Sequence, residues 1–147
     1  MGIISRFPAG ATKPYIEEIY NSAGQLISAN MYGYDAIRDY AFAYCTSLAL
    51  TSLPSGITSI SEGAFAGCSS LALTSLPSGI TSIGNNAFYG CSNLVSLTFE
   101  GTPGIIANDA FANCNNLTTI NVPWAEGAVA NAPWGATNAT INYGYTG

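Results

Sequence analysis

Leu48 to Ile60 reads LALTSLPSGITSI, and Leu71 to Ile83 reads LALTSLPSGITSI again, so thirteen residues recur unchanged at an interval of 23. Widened to whole copies, Cys45 to Gly67 and Cys68 to Gly90 differ only at Thr46/Ser69, Ser61/Gly84, Glu62/Asn85, Gly63/Asn86 and Ala66/Tyr89. Self-similarity at a fixed period of this length is the mark of a solenoid, in which each copy buries its apolar face against the next.

The register extends beyond the identical stretch. Ile37, Ile60, Ile83 and Ile106 each lie eight residues before a cysteine, and Phe42, Phe65, Phe88 and Phe111 each lie three before it. Leu48, Leu71, Leu94 and Leu117 follow each cysteine by three, and Leu53, Leu76, Phe99 and Val122 by eight. These are predicted inward ladders feeding one continuous core. Within a copy, Leu71 to Leu76 reads as a short strand, Pro77-Ser78-Gly79 as a turn and Ile80 to Ile83 as a second extended stretch. Glu62 to Gly67 reads as a helical turn that carries Phe65 inward. In the third copy Glu100 and GTPGII replace proline and SGITSI, which predicts an irregular turn there.

The ends differ from the middle, as terminal repeats must if they are to cover an otherwise open core. Residues 1–14 hold Gly2, Pro8, Gly10 and Pro14 and read as an extended arm preceding one domain over 15–147. Tyr15 to Tyr20 and Gln25 to Tyr32 flank Asn21-Ser22-Ala23-Gly24, a hairpin signal in which Gly24 supplies positive φ. The hairpin, over 15–33, is expected to cap the repeats of 34–123. A degenerate copy over 124–147 closes the other end, with Val129 and Trp134 in the core register and Ala139 to Tyr143 as a closing strand.

Composition excludes several functions. The net charge is −5 with three basic residues, Arg6, Lys13 and Arg38, so no basic stripe exists to neutralise nucleic-acid phosphates or an anionic membrane. No apolar run approaches a membrane span, and MGIISRFPAG is too short in apolar residues for a secretory signal, so no membrane insertion is expected. Charged residues are only 7% of the chain, leaving Ser, Thr, Asn, Gly and Tyr to solvate the surface.

No catalytic constellation emerges, and the chain reads as no enzyme. Histidine is absent, so the commonest general base is missing. Glu17 and Glu18 are neighbours in a strand and point to opposite faces. The scattered acids lack metal-ligand spacing, and Gly101 to Gly104 lacks the context of a nucleotide loop, so neither metal nor cofactor is expected. Cys45, Cys68, Cys91 and Cys114 are one repeat apart. Stacked equivalents sit about 4.8 Å apart, within disulfide range, but with side chains in parallel rather than face to face, so they read as buried thiols, with a disulfide framework as the lesser alternative and no close pair for zinc. Asn116 and Asn138 match the glycosylation sequon by chance.

The set Ala-Phe-x-x-Cys-x-x-Leu, then Leu-Pro or Val-Pro, then Ile-Gly-x-x-Ala-Phe as in Ile83 to Phe88, resembles the BspA-type leucine-rich repeat over about residues 34–123. The segment VPWAEGAVANAPWGATNATI resembles an end piece of such proteins. The resemblance implies a β-rich repeat solenoid and a binding or assembly role without chemistry, since family members are commonly bacterial surface proteins linked to adhesion and also occur with phages. One departure is that Thr51 and Thr74 stand where the family has an apolar residue, with Leu50 and Leu73 one place earlier, leaving the register there open by one residue.

With the family register, Ser52, Ser75, Thr98 and Asn121 form an outward polar ladder and the candidate binding face. Leu50, Leu73, Ser96 and Thr119 would form a neighbouring ladder. Two functions stay open: a protein- or glycan-binding adhesion-type module at a cell or virus surface, or a structural subunit of an assembly such as a phage tail or fibre, with a partner that could be the chain itself. Tyr15, Tyr20, Tyr32, Tyr34, Tyr40 and Tyr44 crowd the N-terminal part, where they suit either an interface or cap packing.

Overall fold

The computed structural model describes residues 14–147 together with the backbone of 4–6. Most of the arm expected over 1–14 lies outside the described residues, and its Ile4–Arg6 backbone forms strand β1. The chain continues through β2 (Tyr15–Tyr20), β3 (Leu26–Tyr32), β4 (Ala36–Ile37), β5 (Ser59–Ile60), β6 (Ser75–Leu76) and β7 (Ser82–Ile83). It ends with β8 (Ser96–Phe99), β9 (Ile105–Ile106), β10 (Thr119–Asn121) and β11 (Thr140–Asn142). Among the described residues there is no helix.

Three sheets result. β1, β2 and β3 pair antiparallel at the N-terminal end, and the β2–β3 hairpin turns at Asn21–Gly24, where Gly24 has φ +81° and the Asn21 side-chain oxygen accepts from the Ala23 and Gln25 amides. The remaining strands stack in parallel as β4-β5-β7-β9 and as β6-β8-β10-β11, one strand per coil. Each of the middle coils therefore adds a rung to both sheets, and between them the register advances by 23 residues per rung, as in Ile60 to Ile83 and Ile83 to Ile106.

The core follows from the inward ladders. Phe42, Phe65, Phe88 and Phe111 are buried and stack nearly parallel, with centroids 5.5, 5.5 and 5.2 Å apart. Beside them, the Phe65 amide donates to the Ala87 carbonyl at 2.8 Å and the Phe88 amide to the Ala110 carbonyl at 2.8 Å, which fixes coil-to-coil spacing. The expected helical turn over 62–67 is a run of tight turns instead. Ala64, Ala66 and Cys68 amides donate three residues back, while the Gly63, Phe65 and Gly67 amides go to the next coil and cannot also serve a helix.

The third-copy turn is irregular, as expected: the Ile57 and Ile80 amides donate back to the Pro54 and Pro77 carbonyls, whereas Pro103 at the equivalent place has no amide to give. The repeat register is kept nonetheless, Ser82 pairing Ile105, and Gly101 lets the chain lie against Ser78, where a Cβ would stand 2.2 Å from the carbonyl oxygen. One further expectation changes. The strand expected over Leu71 to Leu76 shrinks to Ser75–Leu76. Leu71, Leu73 and Leu76 all face inward, and the step from 73 to 76 breaks the two-residue alternation of a strand. At the C-terminal end Val129 and Trp134 are buried, and β11 pairs with β10 as the closing strand.

The cysteines are free thiols. Cys68, Cys91 and Cys114 are buried, and their Sγ atoms donate to the carbonyls of Phe42, Phe65 and Phe88, while Cys45 in the first coil is half-buried. Burial pushes the Cys68 thiol up from 9.0 to about 12. Burial, then the Glu18 charge, pushes Cys45 up.

Phe88→Ala removes a fully buried ring from the middle of the stack and is expected to destabilise the fold by about 3–5 kcal/mol, read from urea unfolding; a loss under about 1 kcal/mol would contradict a close-packed ladder. A thiol reagent at pH 8 should label no more than Cys45 in the native protein and all four cysteines after denaturation. Because the folded-state pKa of Cys68 is raised, its contribution to stability is fully present below about 9 and is lost as pH rises through about 12. An unfolding midpoint that is flat across that window would contradict it.

Candidate binding face

Strand pairing brings the predicted polar ladder together in part. Ser75 pairs Thr98, Thr98 pairs Asn121, and Asn121 pairs Asn142 across β6, β8, β10 and β11. The Asn121 amide donates to Thr98 Oγ1 at 3.1 Å, and the Asn142 amide donates to Asn121 Oδ1 at 2.8 Å. Asn121 is thereby buried to 8% exposure, while Ser75 and Thr98 are half-buried. The ladder spends much of its hydrogen-bonding capacity on itself, as a buried amide must.

Asn142 is a member the sequence reading missed. Its signal is the triplet Thr-Ile-Asn, present at 119–121 and again at 140–142. The interval is 21 rather than 23, so a strict search at the repeat period passes over it.

The neighbouring ladder does not form. Leu50 and Leu73 are buried at 8% and 1%, whereas Ser96 is exposed and Thr119 half-buried. In the first two coils these leucines take the inner place that Leu97 and Ile120 fill later, and Thr51 and Thr74 turn to solvent. The side chain that gains most from leaving water decides the local register.

Ser52 stands apart from the other three. It is exposed, lies outside any strand, and lines a cleft of about 400 Å³ between β3 and the first coil, with Asn30, Met31, Tyr32, Thr51 and Pro54 among the walls. One backbone hydrogen bond, from the Ala49 amide to the Ile27 carbonyl, joins these two segments among the described residues. The cleft thus opens where sheet pairing lapses.

Elsewhere polar groups are structural. Asn116 and Asn138 Nδ2 donate to the carbonyls of Ser92 and Asn115, which places both sequon amides in the coil-to-coil bonding. Glu17 accepts from Asn30 across the hairpin, and Tyr20 donates to Glu18. Tyr15 and Tyr32 rings lie 4.9 Å apart, Tyr34 packs on the core, and Tyr40 and Tyr44 stay exposed. Among the described residues no three His, Cys, Asp or Glu side chains gather to hold a metal, and no helix is long and apolar enough to cross a membrane.

A solved leucine rich cell surface protein from Faecalibacterium prausnitzii A2-165 is 24% identical, with a TM-score of 0.56 over 77% of this chain and 39% of that one. The chain thus spans well under half of that protein's length. A leucine-rich repeat protein from T. pallidum is 18% identical, with a TM-score of 0.48 over 92% of this chain and 82% of that one. No curated protein matches. Residues 34–128 match the model of the BspA type leucine rich repeat region in 6 copies. With the repeat register and the parallel coils, that match shows that the chain belongs to the BspA-type leucine-rich repeat family.

Proposed function

We propose that the chain is a non-catalytic binding module of adhesion type, taking a protein or glycan on the strand face that runs from Asn121 through Thr98 and Ser75 to Ser52. The observation that carries this reading is the cleft of about 400 Å³ at the Ser52 end, where strand β3 and the first coil stand side by side with a single backbone bond between them. An extended segment lying there would find backbone donors and acceptors on both walls, the mode by which peptides add to a sheet edge. The ladder beyond the cleft is uncharged, and hydrogen bonds from Asn142 to Asn121 and from Asn121 to Thr98 already order its side chains, so little ordering cost attends its use. A setting at a cell or virus surface fits this role, and the F. prausnitzii protein is described as a cell surface protein. Nucleic acid is a poor partner for a chain of net charge −5.

A second reading, a structural subunit of a larger assembly, is favoured by β11, which ends its sheet with one edge unpaired among the described residues. Such an edge is a template for another chain, a second copy included.

Peptide and glycan arrays probed with the full chain, then repeated with Ser52→Trp and Ser75→Gln, test the first reading. Binding that falls at least tenfold in both variants, with the unfolding temperature held, is the expected outcome; binding untouched by either would overturn it. Light scattering on the full chain and on 15–147 tests the second, which expects an oligomer and is contradicted by a monomer at all concentrations.

A further inference from the structure

Tyr40 and Tyr44 have φ of +56° and +60°, in the left-handed region that bulky residues rarely enter. The repeat register puts Gly63 and Asn86 in the column of Tyr40, and Gly67, Gly90 and Asn113 in that of Tyr44, all likewise at positive φ. The second and third coils take this backbone in both columns, and the fourth takes it at Asn113 but not at Asp109; glycine or asparagine meets it cheaply. Only the first coil installs tyrosines. Their conformation is held by the Tyr40 amide donating to the Glu62 carbonyl at 2.9 Å and the Tyr44 amide to the Ala66 carbonyl at 2.6 Å.

The second coil is shaped to receive both rings. A Cβ on Gly63 would stand 2.3 Å from the Tyr40 ring, and one on Gly67 would stand 2.4 Å from the Tyr44 ring. Each ring therefore lies against a bare glycine and leaves its other side in water, Tyr40 at 55% and Tyr44 at 71% exposure. The Tyr40 hydroxyl is anchored on Glu62 Oε2 at 3.0 Å. Glu62, first through that hydrogen bond and then through its charge, raises the Tyr40 pKa, which keeps the hydroxyl a donor to the Glu62 side chain. Residues 14–147 carry all eight acids of the chain and a single base, Arg38.

Two exposed rings on an acidic protein, one of them, Tyr40, bonded to the Glu62 carboxylate, complement a cation. Aromatic faces attract ammonium and guanidinium groups, and backbone held in a rare region often marks a functional position. From this geometry we propose that Tyr40 and Tyr44, with Glu62 and Asp39, form a docking site for an arginine- or lysine-bearing segment of a partner protein. The site lies in the turns rather than on the strand face, so it goes beyond the function proposed above and does not depend on it.

The test titrates the full chain with acetyl-Gly-Arg-Gly-Arg-Gly amide, following backbone amide shifts of Gly63 and Gly67 by NMR. Saturable shifts are expected, with affinity falling at least threefold as ionic strength rises from about 0.01 M to about 0.15 M. Tyr40→Gly with Tyr44→Gly gives the first coil the residues that the second coil carries, so the fold is retained while affinity drops roughly five- to thirtyfold. Tyr40→Asn with Tyr44→Asn repeats the measurement with the residues of the later coils, should the glycine pair alter the circular dichroism spectrum. Glu62→Gln should weaken binding, and Ser52→Trp should leave it unchanged, separating this site from the strand face. The proposal is overturned if the peptide moves neither glycine amide, if the tyrosine variants bind as well as the native chain, or if neutral maltohexaose shifts those amides and the peptide does not.

Discussion

Every coil must present to the next one the same ring, the same carbonyls and the same spacing, because no single coil can bury its own apolar side. The phenylalanine stack from Phe42 to Phe111 is the physical expression of that constraint, with centroids 5.2–5.5 Å apart along its length. Amide-to-carbonyl bonds beside the rings, such as Phe65 to Ala87, lock the distance at which they meet. A residue in this column cannot change size without moving two coils. That is why even the degenerate last coil keeps a large ring, Trp134, whose carbonyl accepts from the Phe111 amide.

Polar groups obey the same periodicity. A solenoid interior has no water to spare, so each coil must satisfy the donors and acceptors of its neighbour. The Cys68, Cys91 and Cys114 thiols do so by donating to phenylalanine carbonyls. On the exposed side the Asn116 and Asn138 amides also bridge coils, donating to the carbonyls of Ser92 and Asn115. Thr58 and Thr81 hydroxyls repeat the pattern on the carbonyls of Asp35 and Thr58. Among the described residues one buried side-chain group is left over: the Trp124 indole N–H has no partner in the aromatic cluster with Phe99 and Trp134, at the end where the repeat is broken.

With the interior committed to stacking, specificity falls to the places where the repeat is imperfect. The first coil departs from the others on its turn side, through Tyr40 and Tyr44, and on its strand side, through the cleft against β3. The third coil exposes Val95 and Ile105 where earlier coils carry Ala72 and Ser82. Identity between coils serves packing.

The period, the columns and the two ends were legible in the residues themselves, because a repeated side chain in a repeated environment has one cheap place to go. Ile37, Phe42, Leu48 and their equivalents are buried as their columns require, whereas Asn142, offset by 21 residues from Asn121, joins the polar ladder only through strand pairing. The chain could not by itself decide what each copy becomes. LALTSLPSGITSI forms two strands as residues 71–83, Ser75–Leu76 and Ser82–Ile83, but only Ser59–Ile60 as residues 48–60. The same thirteen residues differ because the second copy lies between full coils, while the first meets a hairpin through one backbone bond. Strand pairing is a property of the neighbour as much as of the segment, and only the tertiary structure supplies the neighbour.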